Sequence, residues 1–197
     1  MVTDGRRAAA TAATRRGIID AARELLATQQ WQRFTLEAVA NRAGVTRMTV
    51  YNQVRSKRGL LDAVLADLTE RAGMDQLLTD TQHLSAGEAC TVIVRRTCRF
   101  WYAERQLLRP LFGLAGIDQE VASILAQREQ WRGNQMHHLV RRLAAQTTPE
   151  SSFDQAEVLA GVLAVTSFPA YDALGTVADD PDRATLLLNR LLRSLTG

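Results

Sequence analysis

The sequence predicts an all-α protein in which a small N-terminal helix-turn-helix domain precedes a larger helical domain. Apolar residues recur at the spacing of an amphipathic helix in several long segments of the 197-residue chain. A glycine-centred turn separates two short segments within the first third. Positive charge is concentrated in the same region: residues 1–58 hold 11 Lys and Arg against 4 Asp and Glu, a net charge of +7, whereas residues 59–197 carry −4. This partition suits a domain that binds phosphate, although a basic surface without a ligand is the alternative.

The composition argues against a membrane-spanning protein and against a disulfide-rich one. With 46% hydrophobic residues the chain can bury a full core. Its longest apolar run, residues 158–171, is interrupted by Thr166, Ser167 and Pro169 and is shorter than the roughly 18 residues of a membrane span. The N-terminus lacks the apolar stretch of a signal peptide, and two cysteines are too few for a disulfide framework, so a cytoplasmic location is expected.

The pattern of apolar residues divides the first 30 residues into two segments. Residues 1–14 are rich in Ala and Thr without an apolar stripe, which predicts a mobile arm that either enters a minor groove or has no role. From Arg15 to about Gln29 apolar residues return at helical spacing and predict an amphipathic helix that covers the helix-turn-helix. Trp31 and Phe34, in the connection that follows, are predicted to be core residues.

The helix-turn-helix itself is predicted over Phe34–Leu61. Thr35 is a suitable N-cap for a first short helix, and Gly44 supplies the left-handed conformation that ends it. Thr46 can cap a second helix over residues 47–54, whose outward side chains are of the types that contact DNA grooves. The alternative is a tight helical hairpin in an ordinary bundle, which would need no cationic neighbours.

This segment, FTLEAVANRAGVTRMTVYNQVRSKRGLL, resembles the tetracycline-repressor-like (TetR) family of transcriptional regulators. Members of that family show Thr before the first helix, Ala-Gly-Val-Ser/Thr at the turn, Thr-Val/Leu-Tyr in the recognition helix, and Ser-Lys followed by Leu-Leu in the next helix. Gln53 and Val54 stand where the family usually has His or Tyr followed by Phe. The resemblance covers the first third of the chain and implies a homodimer that binds a palindromic operator and is released by a small-molecule effector.

Eight residues are expected to contact double-stranded DNA. Tyr51 offers its hydroxyl to a phosphate, and the N-cap threonines offer hydroxyls or helix-terminal amides. Arg47, Met48 and Asn52 are candidates for base edges, because arginine suits guanine and asparagine suits adenine. The resemblance assigns Lys57 to the DNA backbone. The full set is Thr35, Thr46, Arg47, Met48, Thr49, Tyr51, Asn52 and Lys57.

Five further helices are predicted. The first runs from Ser56 to a break at Gly73, and we expect it to be the mechanical link between the two domains. The second ends at Pro110, and the fourth, apolar nearly all round, is kinked or ended by Pro169. The ranges of the last four are 84–108, 118–145, 153–173 and 183–195, with a connector at 111–117 and a linker at 147–150. The predicted domains are an arm (1–14), a helix-turn-helix domain (15–60) and an effector-binding and dimerisation domain (61–197).

The last two helices are predicted to form a homodimer interface. A helix that is apolar on every side must be buried on every side, and the leucines of the final helix lack a partner in a small monomer. A four-helix bundle with two helices from each subunit would cover both, as the resemblance also implies. The interface residues are predicted to be Val158, Val162, Val165, Leu187, Leu188, Leu191, Leu192 and Leu195.

An effector pocket in the second domain is predicted from aromatic residues and from arginines that fall within apolar stripes. The aromatic residues are equally consistent with plain core. The arginines either face a cavity, which favours an anionic or polar-aromatic effector, or reach solvent, or pair with Glu104, Asp118 or Glu129. The pocket residues are predicted to be Trp101, Arg105, Phe112, Arg128, Trp131, Arg132, Gln135, His138, Phe168 and Tyr171.

Metal binding and catalysis are not expected, and neither is a cofactor. Adjacent His137 and His138 point in different directions on a helix, and Cys90 and Cys98 lack close ligand spacing. The sequence contains no Gly-x-Ser-x-Gly, phosphate loop or nucleotide-binding glycine motif. The preferred interpretation is a ligand-responsive dimeric repressor, and the alternative is a ligand-binding or protein-interaction module of the same fold without specific operator binding.

Overall fold

The computed structural model describes residues 2–28, 31–145 and 154–196, apart from the side chains of residues 2–4, 32, 195 and 196. The chain forms two compact units, Met1–Arg71 and Ala72–Gly197. All regular elements in these ranges are helical, as the sequence predicts. The α-helices are α1 (Val2–Ala27), α2 (Leu36–Ala43), α3 (Arg47–Val54), α4 (Lys57–Arg71), α5 (Leu77–Thr81), α6 (Ala86–Leu114), α7 (Gln119–Ala145), α8 (Gln155–Val165), α9 (Phe168–Asp172) and α10 (Pro181–Thr196), and Trp31–Arg33 and Gly175–Asp179 are 3-10 turns.

One predicted domain boundary differs from the structure, and one predicted linker lies outside the described residues. The first unit ends at residue 71 rather than 60, because α4 packs with α1 and α3 and therefore belongs to the first unit. The predicted linker at 147–150 lies outside the described residues, as does Phe153.

In the first unit, α1 packs against α2 and α4, and α2 packs against α3. Its core receives Ile18 from α1, Phe34 from the connection, Val50 from α3, and Leu60 and Val64 from α4, all of them fully buried. Phe34 is thus a core residue, as predicted. Because α3 is held through its inner side, its outer side is left to solvent.

The prediction that residues 1–14 lack regular structure differs from the structure, in which α1 begins at Val2. The side chains of residues 5–13 are all exposed, so tertiary packing does not explain this part of the helix. The Ala-rich composition does, because alanine has the highest intrinsic helix propensity and needs no apolar stripe. Apolar periodicity therefore located only the second half of α1.

The predicted helix-turn-helix is confirmed in its local detail. Thr35 is the N-cap of α2 and accepts a hydrogen bond from the Ala38 amide at 3.1 Å. Gly44 ends α2 with φ 66°, the left-handed conformation expected there. Thr46 caps α3 in the same way as Thr35, through the Thr49 amide at 3.1 Å.

The connection between α3 and α4 is only two residues long. Arg55 adopts φ 64°, and the amide of Ser56 donates to the carbonyl oxygen of Val54 at 2.7 Å. Ser56 accepts from the Gly59 amide at 2.9 Å and so caps α4, as predicted. A Cβ atom at Gly59 would lie 2.1 Å from the Val54 carbonyl oxygen. The absence of a side chain at residue 59 is therefore what allows the first turn of α4 to approach the end of α3.

The second unit is built around α6, which packs against α7, α9 and α10, while α8 packs against α7 and α10. The prediction that Pro110 ends the helix was wrong, because α6 continues to Leu114. A proline inside a helix removes one hydrogen bond. Leu107, Leu108 and Leu111, on either side of it, are buried in the core, and this packing outweighs the local loss.

The helix predicted over 153–173 is divided in the structure. α8 ends at Val165, and Ser167 starts α9 by accepting a hydrogen bond from the Ala170 amide at 3.2 Å. The break therefore precedes Pro169. Proline is tolerated in the first turn of α9, where its missing amide hydrogen has no helical partner to lose.

Replacing Gly59 by Ala is expected to destabilise the first unit by about 1–3 kcal/mol, the usual cost of forcing a methyl group into filled space. Gly17→Ala is the matched control, because nothing lies within 4 Å of a Cβ atom at this helical position. The control should be neutral or stabilising by about 0.5–1 kcal/mol. Thermal unfolding of the full chain, followed by circular dichroism, measures both. Equal melting temperatures for the two variants would contradict the close approach.

Candidate nucleic-acid interface

The outer surface of α3 carries the side chains that the sequence predicts to read base edges. Val50 and Val54 face inward, whereas Arg47, Met48 and Asn52 are exposed. Met48 is 64% exposed, which is unusual for a large apolar side chain. The structure thus brings the three predicted base-reading residues to one solvent-facing surface.

Three of the predicted hydroxyl groups are already engaged locally. The hydroxyls of Thr46 and Thr49 lie 2.9 Å apart, and the Thr46 oxygen also accepts the Thr49 amide. Thr35 accepts the Ala38 amide at the start of α2. These residues fix the beginnings of α2 and α3, where helix-terminal amides favour an anionic group.

The charged neighbours of α3 leave it able to bind an anion. The Nε atom of Arg47 lies 3.9 Å from a carboxylate oxygen of Glu37, and both side chains are largely exposed, so this ion pair is weak. The guanidinium of Arg55 lies 5.9 Å from the centroid of the Tyr51 ring. Tyr51 is itself 45% exposed, so its side chain is accessible from solvent and has a positive charge near its ring.

Lys57, at the first position of α4, makes a contact that the sequence did not predict. Its Nζ atom lies 3.8 Å from the centroid of the Trp31 ring and 6.0 Å from that of Phe34. The two rings stack with centroids 5.4 Å apart and an interplanar angle of 17°. Trp31 is therefore half-buried with a cation on its face, and not simply a core residue. The signal in the sequence is that Lys57 is the single lysine among 24 cationic residues.

Ion pairs between helices hold this surface in place. Arg71 of α4 contacts Asp20 of α1 at 2.7 Å and Asp67 at 2.8 Å, and hydrogen bonds from Arg71 to these carboxylates raise its pKa. Arg15 of α1 donates to the carbonyl oxygen of Gln53 in α3 at 3.0 Å. Asp20 and Asp67 are thus paired with a cation away from α3. Residues 1–71 hold in total 12 Lys and Arg against 7 Asp and Glu, these pairs included.

Comparison with known proteins agrees with this geometry. Residues 18–64 match the family model of bacterial regulatory proteins of the tetR family. The chain carries the helix-turn-helix domain of the tetR family. Over 117 residues it is also 32% identical to the HTH-type transcriptional regulator AlkX of Mycobacterium tuberculosis. That alignment covers 59% of the chain and 49% of the relative, so the chain spans about half the length of the curated relative that it matches.

Solved structures share the fold over most of the chain. A transcriptional regulator from Rhodococcus sp. Rha1 is 17% identical with a TM-score of 0.67, and the match covers 92% of this chain and 95% of that one. The TetR transcriptional regulator SCO0520 from Streptomyces coelicolor is 21% identical with a TM-score of 0.53, covering 92% and 98%. At these identities the likeness shows the shared fold alone.

The aromatic residues predicted to line an effector pocket form a packed cluster in the second unit of the chain. Trp101, Phe168 and Tyr171 are buried, and Phe112 lies against Phe168 with ring centroids 4.9 Å apart. The Trp101 indole donates to the Thr166 carbonyl at 3.0 Å, and the Tyr171 hydroxyl donates to the Ala178 carbonyl at 2.9 Å. Burial raises the pKa of Tyr171 to about 12. These side chains are core residues, the alternative that the sequence left open.

The arginines of the predicted pocket pair with groups of the protein. Arg132 contacts Glu129 at 2.6 Å, the Thr166 hydroxyl at 2.8 Å and the Leu163 carbonyl at 3.0 Å. Arg105 pairs with Asp179 at 2.8 Å rather than with the acidic residues considered from the sequence. The others lie at or near the surface: Arg128 and Gln135 are half-buried, and Trp131 and His138 are exposed.

A cavity of about 260 Å³ lies elsewhere in the second unit, between the start of α6 and the end of α10. Apolar side chains from three helices line it, together with polar groups from α6 and α10. None of the predicted pocket residues is among those that line it. The lining residues are Gly87, Glu88, Cys90, Thr91, Leu143, Val162, Asn189, Leu192 and Arg193.

The predicted dimer residues are divided between core and surface. Val158, Val162, Leu188 and Leu192 are buried within the single chain, so they are not available to a partner, and their prediction as interface residues was wrong. The reason is that α10 packs this side against α6 and α8. Leu191 is 44% exposed, and Val165 and Leu187 are half-buried. The side chain of Leu195 lies outside the described residues.

Two further properties concern the described ranges only. No helix there is both long and apolar enough to cross a bilayer. Cys90 and Cys98 are free thiols, and burial raises the pKa of each.

Proposed function

We propose that this chain is a DNA-binding transcriptional regulator, acting as a repressor, that binds a roughly palindromic operator as a homodimer. The observation that supports this most directly is the surface of α3, where Arg47, Met48, Tyr51 and Asn52 lie exposed on a helix capped at its start and packed along its inner side. Such a helix fits the major groove of double-stranded DNA. The charge of the first unit supplies the attraction to phosphate that is independent of sequence.

The proposed roles of the α3 residues follow from their chemistry. Arg47 suits the acceptor pair of guanine, and Asn52 suits adenine. Met48 offers an apolar surface for a thymine methyl group. Tyr51 and Lys57 flank these residues and contact the DNA backbone, which sets the position of the helix without reading sequence.

Operator binding is tested with Tyr51→Phe and Lys57→Ala in shift assays on DNA from upstream of the protein's own gene. Tyr51→Phe should weaken binding about 10- to 150-fold, because a hydrogen bond to a charged group contributes roughly 1.5–3 kcal/mol and each 1.4 kcal/mol corresponds to about a factor of ten. Lys57→Ala should weaken binding and also reduce the slope of log Kd against log salt by about one for each phosphate that the lysine neutralises in the wild-type complex.

Matched controls are available in the second unit. Tyr102 is exposed to the same degree as Tyr51, and Arg141 is an exposed cation. Tyr102→Phe and Arg141→Ala should leave operator binding unchanged. Full-strength binding by both Tyr51→Phe and Lys57→Ala would overturn the proposed function.

The homodimer interface is proposed on the outer faces of α8 and α10. Ala160 and Ala164 of α8 are exposed, and their small side chains would let another helix approach closely. Leu187 and Leu191, one turn apart on α10, form an apolar edge beside its buried face. A second copy of the chain would cover both surfaces and pair two copies of α3, which is what a palindromic operator requires.

Leu191→Arg is expected to shift the protein from dimer to monomer at micromolar concentration, because it would place a charge in an apolar interface. Light scattering coupled to size-exclusion chromatography gives the mass of the particle. Ile117→Arg is the control, since Ile117 is 86% exposed and lies outside α8 and α10. A dimer that tolerates both substitutions would place the interface elsewhere.

Release of the operator by a small-molecule effector is proposed to act through the cavity between α6 and α10. Leu143, Val162 and Leu192 provide an apolar lining, and Arg193 and Asn189 provide hydrogen-bond donors. Glu88 is held by Ser85, whose hydrogen bonds lower the pKa of its carboxyl group. A small apolar carboxylic acid, with its carboxylate directed to Arg193 and away from Glu88, fits this lining. Its binding must favour the state with low operator affinity.

Thr91→Trp would fill this cavity from its exposed rim and should abolish release. A panel of small carboxylic acids is added to the operator complex, and release is measured by fluorescence anisotropy of labelled DNA. An acid that releases the wild-type protein should fail on Thr91→Trp and succeed on Thr79→Trp, because Thr79 is exposed on α5 and does not line the cavity. If the Thr91→Trp variant were released from the operator at the acid concentration that releases the wild-type protein, this site would be contradicted.

A further inference from the structure

Trp31 lies outside the helix-turn-helix in sequence, 26 residues before Lys57, yet its ring faces the Lys57 ammonium at 3.8 Å. Phe34 stacks behind it, and Phe34 is fully buried. The buried ring anchors the half-buried one, so the indole face occupies a defined position next to the start of α4. Neither a contact with the DNA groove nor packing in the core explains why the stacked Trp31 and Phe34 rings face the Lys57 ammonium.

An ammonium group over an indole face is attracted by the negative potential of the ring. Lysine is a compact charge on a flexible four-carbon stem, and fixing that stem costs conformational entropy. A contact made before DNA arrives therefore removes part of the entropy cost of binding.

We propose that Trp31 is a positioning residue for the DNA backbone: its indole holds the Lys57 ammonium at the N-terminus of α4, where the ammonium and the α4 amides bind one phosphate. This inference rests on the proposed function and names the arrangement that prepares its phosphate contact. It also accounts for a lysine at this position in a chain whose other 23 cationic side chains are arginines, because the ammonium is a compact charge on a flexible stem that can lie over the ring.

The contact itself is tested without DNA. Reductive methylation with labelled formaldehyde marks Lys57 and the chain's N-terminus and preserves the positive charge. Because the chain has one lysine, the spectrum of the full chain contains one side-chain signal. This signal should be shifted upfield by the indole ring current, and Trp31→Leu should move it to the position found in the unfolded protein. Trp131→Leu, which changes an exposed tryptophan of the second unit, should not move it.

An unshifted signal in the wild-type protein, or one that does not respond to Trp31→Leu, overturns the contact. The contact can be judged even if Trp31→Leu destabilises the protein, because the presence or absence of an upfield shift in the wild-type protein tests it directly. Trp31→Phe is the conservative variant and should keep part of the shift, because it retains an aromatic face.

The positioning role is tested by a double-mutant cycle on operator DNA. Trp31→Leu should weaken binding about two- to fivefold when Lys57 is present, the range expected for one exposed cation–π contact. It should have no effect when Lys57 has been replaced by Ala. Trp31→Phe should restore part of the affinity. Equal weakening in both backgrounds would mean that Trp31 only stabilises the fold, and this result overturns the proposal.

Lys57→Ala separates this inference from the proposed function. If that variant binds operator as tightly as wild type, there is no phosphate contact to prepare, and the positioning role is overturned. Operator binding itself would still be judged by Tyr51→Phe, which changes a different residue and leaves the aromatic pair intact.

Discussion

The close approach of α3 and α4 is the constraint on which the first unit depends. The Val54 carbonyl accepts the Ser56 amide at 2.7 Å, and Gly59 lets the first turn of α4 lie against the same carbonyl. Arg55 adopts a positive φ to complete this turn, at a cost in conformational energy that the surrounding packing must offset. Because so few bonds separate the end of α3 from Lys57, the side chains proposed to read bases and the ammonium proposed to contact phosphate are held in a fixed relation to each other.

This geometry also explains how the chain accommodates its departures from the usual TetR pattern. Val54 is smaller than the aromatic residue common in the family, yet it is buried and contributes to the core. Gln53 is held through its backbone, whose carbonyl oxygen accepts a hydrogen bond from Arg15 of α1. The position of α3 therefore depends on its connections to α1 and α4 as well as on the size of one side chain.

The sequence predicted features that depend on neighbouring residues and missed those that depend on distant ones. Thr35, Gly44 and Thr46 could be assigned because an N-cap or a left-handed turn involves only a few adjacent residues. The path of α6 through Pro110 could not, because it depends on packing against other helices. The partners of Arg132 and the residues around the cavity come from separate helices, so no spacing in the sequence marks them.

The first half of α1 has a thermodynamic consequence of its own. Residues 5–13 are helical with every side chain exposed, so their helicity depends on backbone propensity, which five alanines favour and Gly5 opposes. Such a segment takes part in a helix–coil equilibrium that is separate from the cooperative unfolding of the core. A surface that binds Arg6 and Arg7 in the helical form would shift this equilibrium toward helix. Ordering the segment costs free energy, so the contact would bind more weakly than it would if the helix were already formed.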